Sequence, residues 1–247
     1  WDVSPQRFPD GFTPLLSTAG HWSTSLGLWM SPFGGYDSAS ARRISIGKKM
    51  GLETHPGRGF ALSGKKYYAR FKGVAERRIA EGFRFFKFDG IGGGLGQTGA
   101  GEFVGDFEAM LRLIGELRGQ ADRTETPWGS SPSGASQALA RRNDAAGSAD
   151  SQESRRRRKS RRLWINLTIG TWPSIFWLLW GDSIWRDGID VGLEGQEGSL
   201  REKWLTFRDA SSLRALRRGP VFPLPRLMQH GIVWSRVGMA ADLWDKE

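Results

Sequence analysis

FRFFKFDG, residues 83–90, reads as a buried strand that ends on an acid. Aromatic residues carry it, and Lys87 and Asp89 stand at its C-terminal end. A Gly-rich loop follows, and then an amphipathic helix. In an α/β barrel the C-terminal ends of the strands carry the chemistry. A carboxylate there, with a lysine two residues earlier on the same strand face, is a candidate nucleophile. The plainer reading is a strand-ending Asp that caps the next helix or turn.

Strand and helix signals alternate on both sides of this stretch. Residues 26–31 (LGLWMS) read as a strand followed by a loop, and 64–81 show helical spacing at Tyr68, Phe71, Ala75 and Ile79. Phe103, Phe107, Met110, Ile114 and Leu117 mark a second amphipathic helix. Strands are expected at 163–168 and 178–184, a helix at 199–217 with Asp209 as an internal break, and a last strand or extended segment at 221–227. This alternation favours an α/β fold with a parallel sheet and crossover helices.

The loop at 90–101 contains seven glycines, and residues 94–99 (GLGQTG) match GxGxxG. A dinucleotide site would need that motif between a strand and a helix. Glu116 lies twenty residues after Gly96, but inside the amphipathic helix rather than at the end of a following strand. The alternative is a flexible loop over a cleft.

Residues 120–162 differ from their surroundings. They are rich in Ser, Ala, Arg and Gly and end in RRRRKSRR. Ten Lys/Arg against five Asp/Glu place half of the chain's net charge of +10 there. Such a segment buries too little apolar surface to order itself. It divides the chain into 1–119, a basic insert at 120–162, and 163–247. The insert is read as a solvated insertion; nucleic-acid binding through the Arg run is the competing reading. No RNA-binding, helix-turn-helix or zinc-finger pattern accompanies it.

Composition removes other classes. The chain has 247 residues and no cysteine, which excludes disulfides, thiolate metal sites and a cysteine nucleophile. The three histidines, His21, His55 and His230, lie far apart and form no HExxH pair. No metal or cofactor is expected. There is no run of 18 apolar residues, so no membrane-spanning helix is expected. The first residue is Trp and not Met, so the sequence reads as a fragment or processed product; exported and cytoplasmic locations both stay open. Twelve tryptophans fit core packing, and sugar clefts also use Trp faces.

A second carboxylate stands in WGDSIWRDG, where Asp182 is expected near the end of a strand, with Asp187 and Asp190 following. Glycoside hydrolysis needs two carboxyl groups, one to attack or stabilise and one to transfer a proton.

Seven segments together carry a resemblance. They are RFPDGF (7–12), LGLWMSPFGGY (26–36), FFKFDGIG (85–92), WINLTIGTWPS (164–174), GDSIWRDG (181–188), FRDA (207–210) and PLPRLMQHGI (223–232). In this order they resemble the α-galactosidase-type clan of glycoside hydrolases, closest to bacterial family-36-like proteins. The resemblance implies a (β/α)₈ barrel and a retaining hydrolase acting on α-glycosides. It implies Asp89 as nucleophile, Asp182 as acid/base and Lys87 as a hydrogen-bond partner of sugar hydroxyls. Trp29, Trp1, Asn166, Trp172 and Arg186 are the further substrate contacts it implies. It also implies that the first and eighth strands are missing, together with the Asp pair that precedes Trp1 in the clan, and Pro225 replaces a small polar residue. A non-catalytic carbohydrate-binding barrel fragment is the alternative from a different class.

Overall fold

The computed structural model describes residues 2–57, 59–90, 103–123, 162–168, 173–185, 192–228, 234–236, 241–244 and 246. In chain order the elements are α1 (Thr13–His21), β1 (Gly27–Met30), α2 (Asp37–Lys49), β2 (Thr54–His55), β3 (Gly59–Phe60), α3 (Lys65–Glu81) and β4 (Phe85–Phe88). Then come α4 (Asp106–Arg123), β5 (Trp164–Thr168), β6 (Ser183–Trp185), α5 (Leu200–Arg218), β7 (Leu227–Met228) and α6 (Ala241–Trp244).

The α3 helix forms because its apolar residues return every three or four positions. Tyr67, Tyr68, Phe71, Val74, Ala75 and Ile79 are all buried on one side. Glu53 caps its start, accepting the amides of Tyr67 at 2.9 Å and Lys66 at 3.2 Å. Burial pushes the Glu53 carboxyl up, but these amide bonds outweigh it and hold the group below its ordinary value. Gly82 ends the helix with φ of 116°, a left-handed conformation that suits glycine. On α4 the residues Ala109, Met110, Leu113, Ile114, Leu117 and Ala121 make the matching buried stripe, and the two helices pack together.

The five strands β1, β4, β5, β6 and β7 form one sheet, parallel throughout and ordered as they occur in the chain. The pair β2 and β3 forms a separate antiparallel ribbon. A doubly wound nucleotide fold reverses its strand order at a switch point; this sheet has no such reversal among the described residues. The glycine motif at 94–99 itself lies outside them.

Alternation along the strands separates two faces. Met30, Phe86, Phe88, Ile165, Leu167 and Ile184 face one way and join α3 and α4 in the main core. Phe86, Phe88, Ile165, Leu167 and Ile184 are fully enclosed there, each contributing about 2–3 kcal/mol of burial. The other face carries a registered row of Trp29, Lys87, Asn166 and Ser183, one from each of four adjacent strands.

Four expectations change. The strand expected at 178–184 is a 3₁₀ turn at Ile175–Leu179 followed by a strand only at Ser183–Trp185. Ser174 starts the turn by accepting the amide of Phe176, and Trp177 is driven into the core. Asp209 does not break α5, which runs unbroken from a capping box between Ser199 and Glu202. Of 221–227, only Leu227 pairs, together with Met228; Pro223 and Pro225 have no amide hydrogen to give a ladder. The α4 helix continues to Arg123, so the first four residues assigned to the insert belong to it, and 124–161 lie outside the described residues. The α1, α2 and α6 helices were not expected.

Candidate functional site

The site is built on the C-terminal edge of β1 and β4. The ladder between these strands runs one residue past β4, the Asp89 amide donating to Met30 O at 2.9 Å. Asp89 thereby shares the face of Lys87. From the neighbouring strand, Trp29 donates its indole Nε1–H to Asp89 Oδ2 at 2.7 Å. Trp29 leans on Tyr36, with ring centroids 6.3 Å apart. Gly90, the next residue, has φ of 84°, and a Cβ there would lie 3.2 Å from the Tyr36 hydroxyl. The backbone turns away immediately after the carboxylate, beneath an aromatic wall.

Below Asp89 the Lys87 side chain crosses the sheet. Its Nζ lies 3.8 Å from the ring centroid of Trp185. Lys87 is on β4 and Trp185 on β6, so the chain passes over β5. Asn166 lies in that row on β5 and is fully buried. Its Nδ2 donates to Ser183 Oγ at 2.8 Å, and Trp164 Nε1 donates to the same oxygen at 3.2 Å. Asn166 Oδ1 and Thr168 Oγ1, two residues apart on this face, are buried without a hydrogen-bond partner among the described residues. A buried polar atom left unpaired costs about 1–3 kcal/mol.

Asp182 has different surroundings. It precedes β6, and its amide donates to Ile165 O at 2.7 Å. Its carboxylate accepts from Arg118 Nη2 at 3.0 Å, from Arg162 Nη2 at 2.8 Å and from the Ile165 amide at 3.0 Å. The side chain is 1 % exposed. Arg118 comes from α4, so the carboxylate faces the helices. Register places Asp182 three residues behind Asp89 along the strands, about 10 Å, and two strands across, about 10 Å more. The expected pairing of Asp89 with Asp182 as nucleophile and acid/base is therefore corrected. The two lie at opposite ends and on opposite faces of the sheet, because the chain turns at 175–179 and enters β6 only after Asp182.

Of the residues anticipated from sequence, the structure brings Trp29, Lys87, Asp89 and Asn166 together. Trp1, Trp172 and Arg186 lie outside the described residues. Trp164, Thr168, Ser183 and Trp185 complete the face; period-two alternation from Asn166 was the signal that could have found the first two. A second polar constellation was not anticipated. His55 Nε2 lies 2.9 Å from Asp106 Oδ2, and Asp106 Oδ1 accepts the Ser63 amide at 2.7 Å. It ties the β2–β3 ribbon to the start of α4. His55 and Tyr36 both line a depression of about 780 Å³. On the helical side, Glu116 accepts from Lys72, Arg112 and Tyr68. Burial pushes the Glu116 carboxyl up, but these three bonds outweigh it and hold it below its ordinary value. The hydrogen bond to Glu116 raises Lys72 in turn.

Among the described residues no group of three His, Asp or Glu side chains is placed to hold a metal ion, and no helix is long and apolar enough to cross a membrane. No protein-family model, curated protein or solved structure matches the chain.

Proposed function

We propose that this chain is a glycoside hydrolase acting on α-glycosides, with Asp89 as the nucleophile of a retaining double displacement. The observation that carries the reading is the Asp89 carboxylate itself, set at the C-terminal end of a parallel strand with one oxygen held by an indole N–H. Its surroundings support a sugar. Tryptophan rings, a lysine and two unpartnered buried oxygens share one face, and pyranose rings offer hydroxyls for the polar atoms and C–H groups for the aromatic faces. Strands in chain order with one face packed on helices also suit consecutive strands of a (β/α)₈ barrel, whose inner face would then be this polar one. The resemblance of the ordered segments points the same way.

In the first step an Asp89 oxygen bonds to the anomeric carbon as the glycosidic C–O bond breaks, and a general acid protonates the departing oxygen. In the second step water, deprotonated by the same group, attacks the anomeric carbon and releases Asp89. Asp182 is committed to two guanidinium groups and does not fill the proton-transfer role. Asp187 and Asp190, which follow β6 in sequence, lie outside the described residues.

The test is release of p-nitrophenol from a panel of p-nitrophenyl α- and β-glycosides by the chain and by Asp89→Asn. Hydrolysis of an α-glycoside that disappears in the variant, with the α-anomer of the sugar seen first by NMR, supports the reading. Absence of turnover by folded protein, or turnover unaffected by the substitution, overturns it. The alternative of a non-catalytic sugar-binding barrel would then be judged by whether the same protein binds sugars.

A further inference from the structure

We infer that Trp29 is a positioning residue for Asp89, acting through the carboxylate and not as a sugar-stacking platform; this rests on the hydrolase reading above. The resemblance makes Trp29 a sugar contact. The geometry gives it another task. Its Nε1–H donates to Asp89 Oδ2 at 2.7 Å, the short distance of a hydrogen bond to a charged acceptor.

An indole N–H only donates and does not exchange its proton with a carboxylate. It can therefore fix Asp89 without competing as an acid. A carboxylate held by one oxygen presents the other in a set direction, which is what attack on an anomeric carbon requires. Core packing does not explain the ring's position, since Trp29 is 44 % exposed. Two neighbours flank it: Lys87 is its registered partner on β4, and Tyr36 lies against its ring. Asp89 is fixed in turn at its amide by β1. One strand thus holds both ends of the nucleophile's residue.

The experiment is steady-state kinetics of Trp29→Phe on the best p-nitrophenyl glycoside, with the indole N–H region of the ¹⁵N-¹H NMR spectrum recorded in parallel. Phenylalanine keeps an aromatic face and removes the donor. The expected result is a fall in kcat of about 10- to 100-fold with KM changed by less than about threefold. In the wild type the Trp29 indole proton, assigned by its loss in Trp29→Phe, should shift upfield in Asp89→Ala. A KM that rises with kcat unchanged would make Trp29 a sugar platform and overturn the inference, as would an indole signal indifferent to Asp89→Ala. If the wild type turns over no glycoside, the hydrolase reading fails and the inference falls with it. If it turns over normally and Trp29→Phe does too, only the inference fails.

Discussion

Asp89 and Asp182 are both aspartates beside strands of one parallel sheet, and each stands one residue from a strand end. Asp89 follows its strand, is half-buried, and meets one indole. Asp182 precedes its strand, is enclosed, and meets two guanidinium groups and an amide. The first has one oxygen held by that indole, and the proposed mechanism uses the other. The second spends its lone pairs on holding α4, the start of β5 and β6 together. What each carboxylate is left able to do follows from which end of the strand it occupies and what already satisfies it.

The largest separation should appear in activity. Asp89→Asn should lower kcat/KM for an α-glycoside by about 10³-fold or more while moving the urea midpoint little. Asp182→Asn should do the reverse. Losing the anion between two arginines should cost about 3 kcal/mol of stability by urea unfolding. The 65 % exposure of the Arg162 side chain keeps that figure at the low end of the range for broken buried pairs. Similar losses in both assays for both variants would erase the distinction.

The two faces of the sheet give a second contrast of the same kind. Phe88 is fully buried, and Phe88→Ala should cost about 3–5 kcal/mol. Its neighbour Lys87 points to the polar face, so Lys87→Ala should cost about 1 kcal/mol or less, the worth of its stack on Trp185. Lys87→Ala should nonetheless weaken substrate binding. Equal destabilisation by both would mean that the polar face is packed like the core.

The smallest effect concerns pH. Glu116 is held below the ordinary carboxylate range, so its stabilisation is present above the unfolded value, about 4.3, and fades as pH falls through the folded value beneath it. Lys72 is raised. Its stabilisation is present below the unfolded value, about 10.4, and is lost as pH rises through the higher folded value. Both side chains are near one-third exposed, so the pair is worth about 0.5 kcal/mol. Glu116→Gln should flatten the acid limb of the stability curve below pH about 4 and trim its alkaline limb, both read by urea unfolding across pH.

Much of the sheet was legible because burial writes directly into the sequence. Three strands at residues 26–31, 83–90 and 163–168 were read from short apolar runs, and the helices near 64–81 and 103–117 from apolar spacing, with 199–217 read as helix-like. The segment at 178–184 misled for the same reason. LLW is as apolar as a strand, but Ser174 starts a turn and Gly181 sits where a Cβ would press at 3.0 Å on Leu167. That local turn sets Asp182 before β6, and periodicity carries no sign of it. Lys87 and Asp89 were visible as polar residues closing a buried run. Their partners were not, because a parallel register joins residues far apart in the chain. The hydrogen bond from Trp29 to Asp89 spans sixty positions, and no local signal encodes it. His55 and Asp106 escaped for the same cause, being 51 positions apart.

The most direct measurement is covalent labelling with a 5-fluoro-α-galactosyl fluoride, or the fluoride of whichever α-glycoside is cleaved, followed by peptide mapping. A retaining nucleophile displaces fluoride and leaves the sugar on its own oxygen. The expected result is one adduct, on the peptide carrying Asp89, absent in Asp89→Asn and present in folded Asp182→Asn. An adduct on Asp182 or on any other carboxylate would contradict the assignment, and so would active enzyme that forms none.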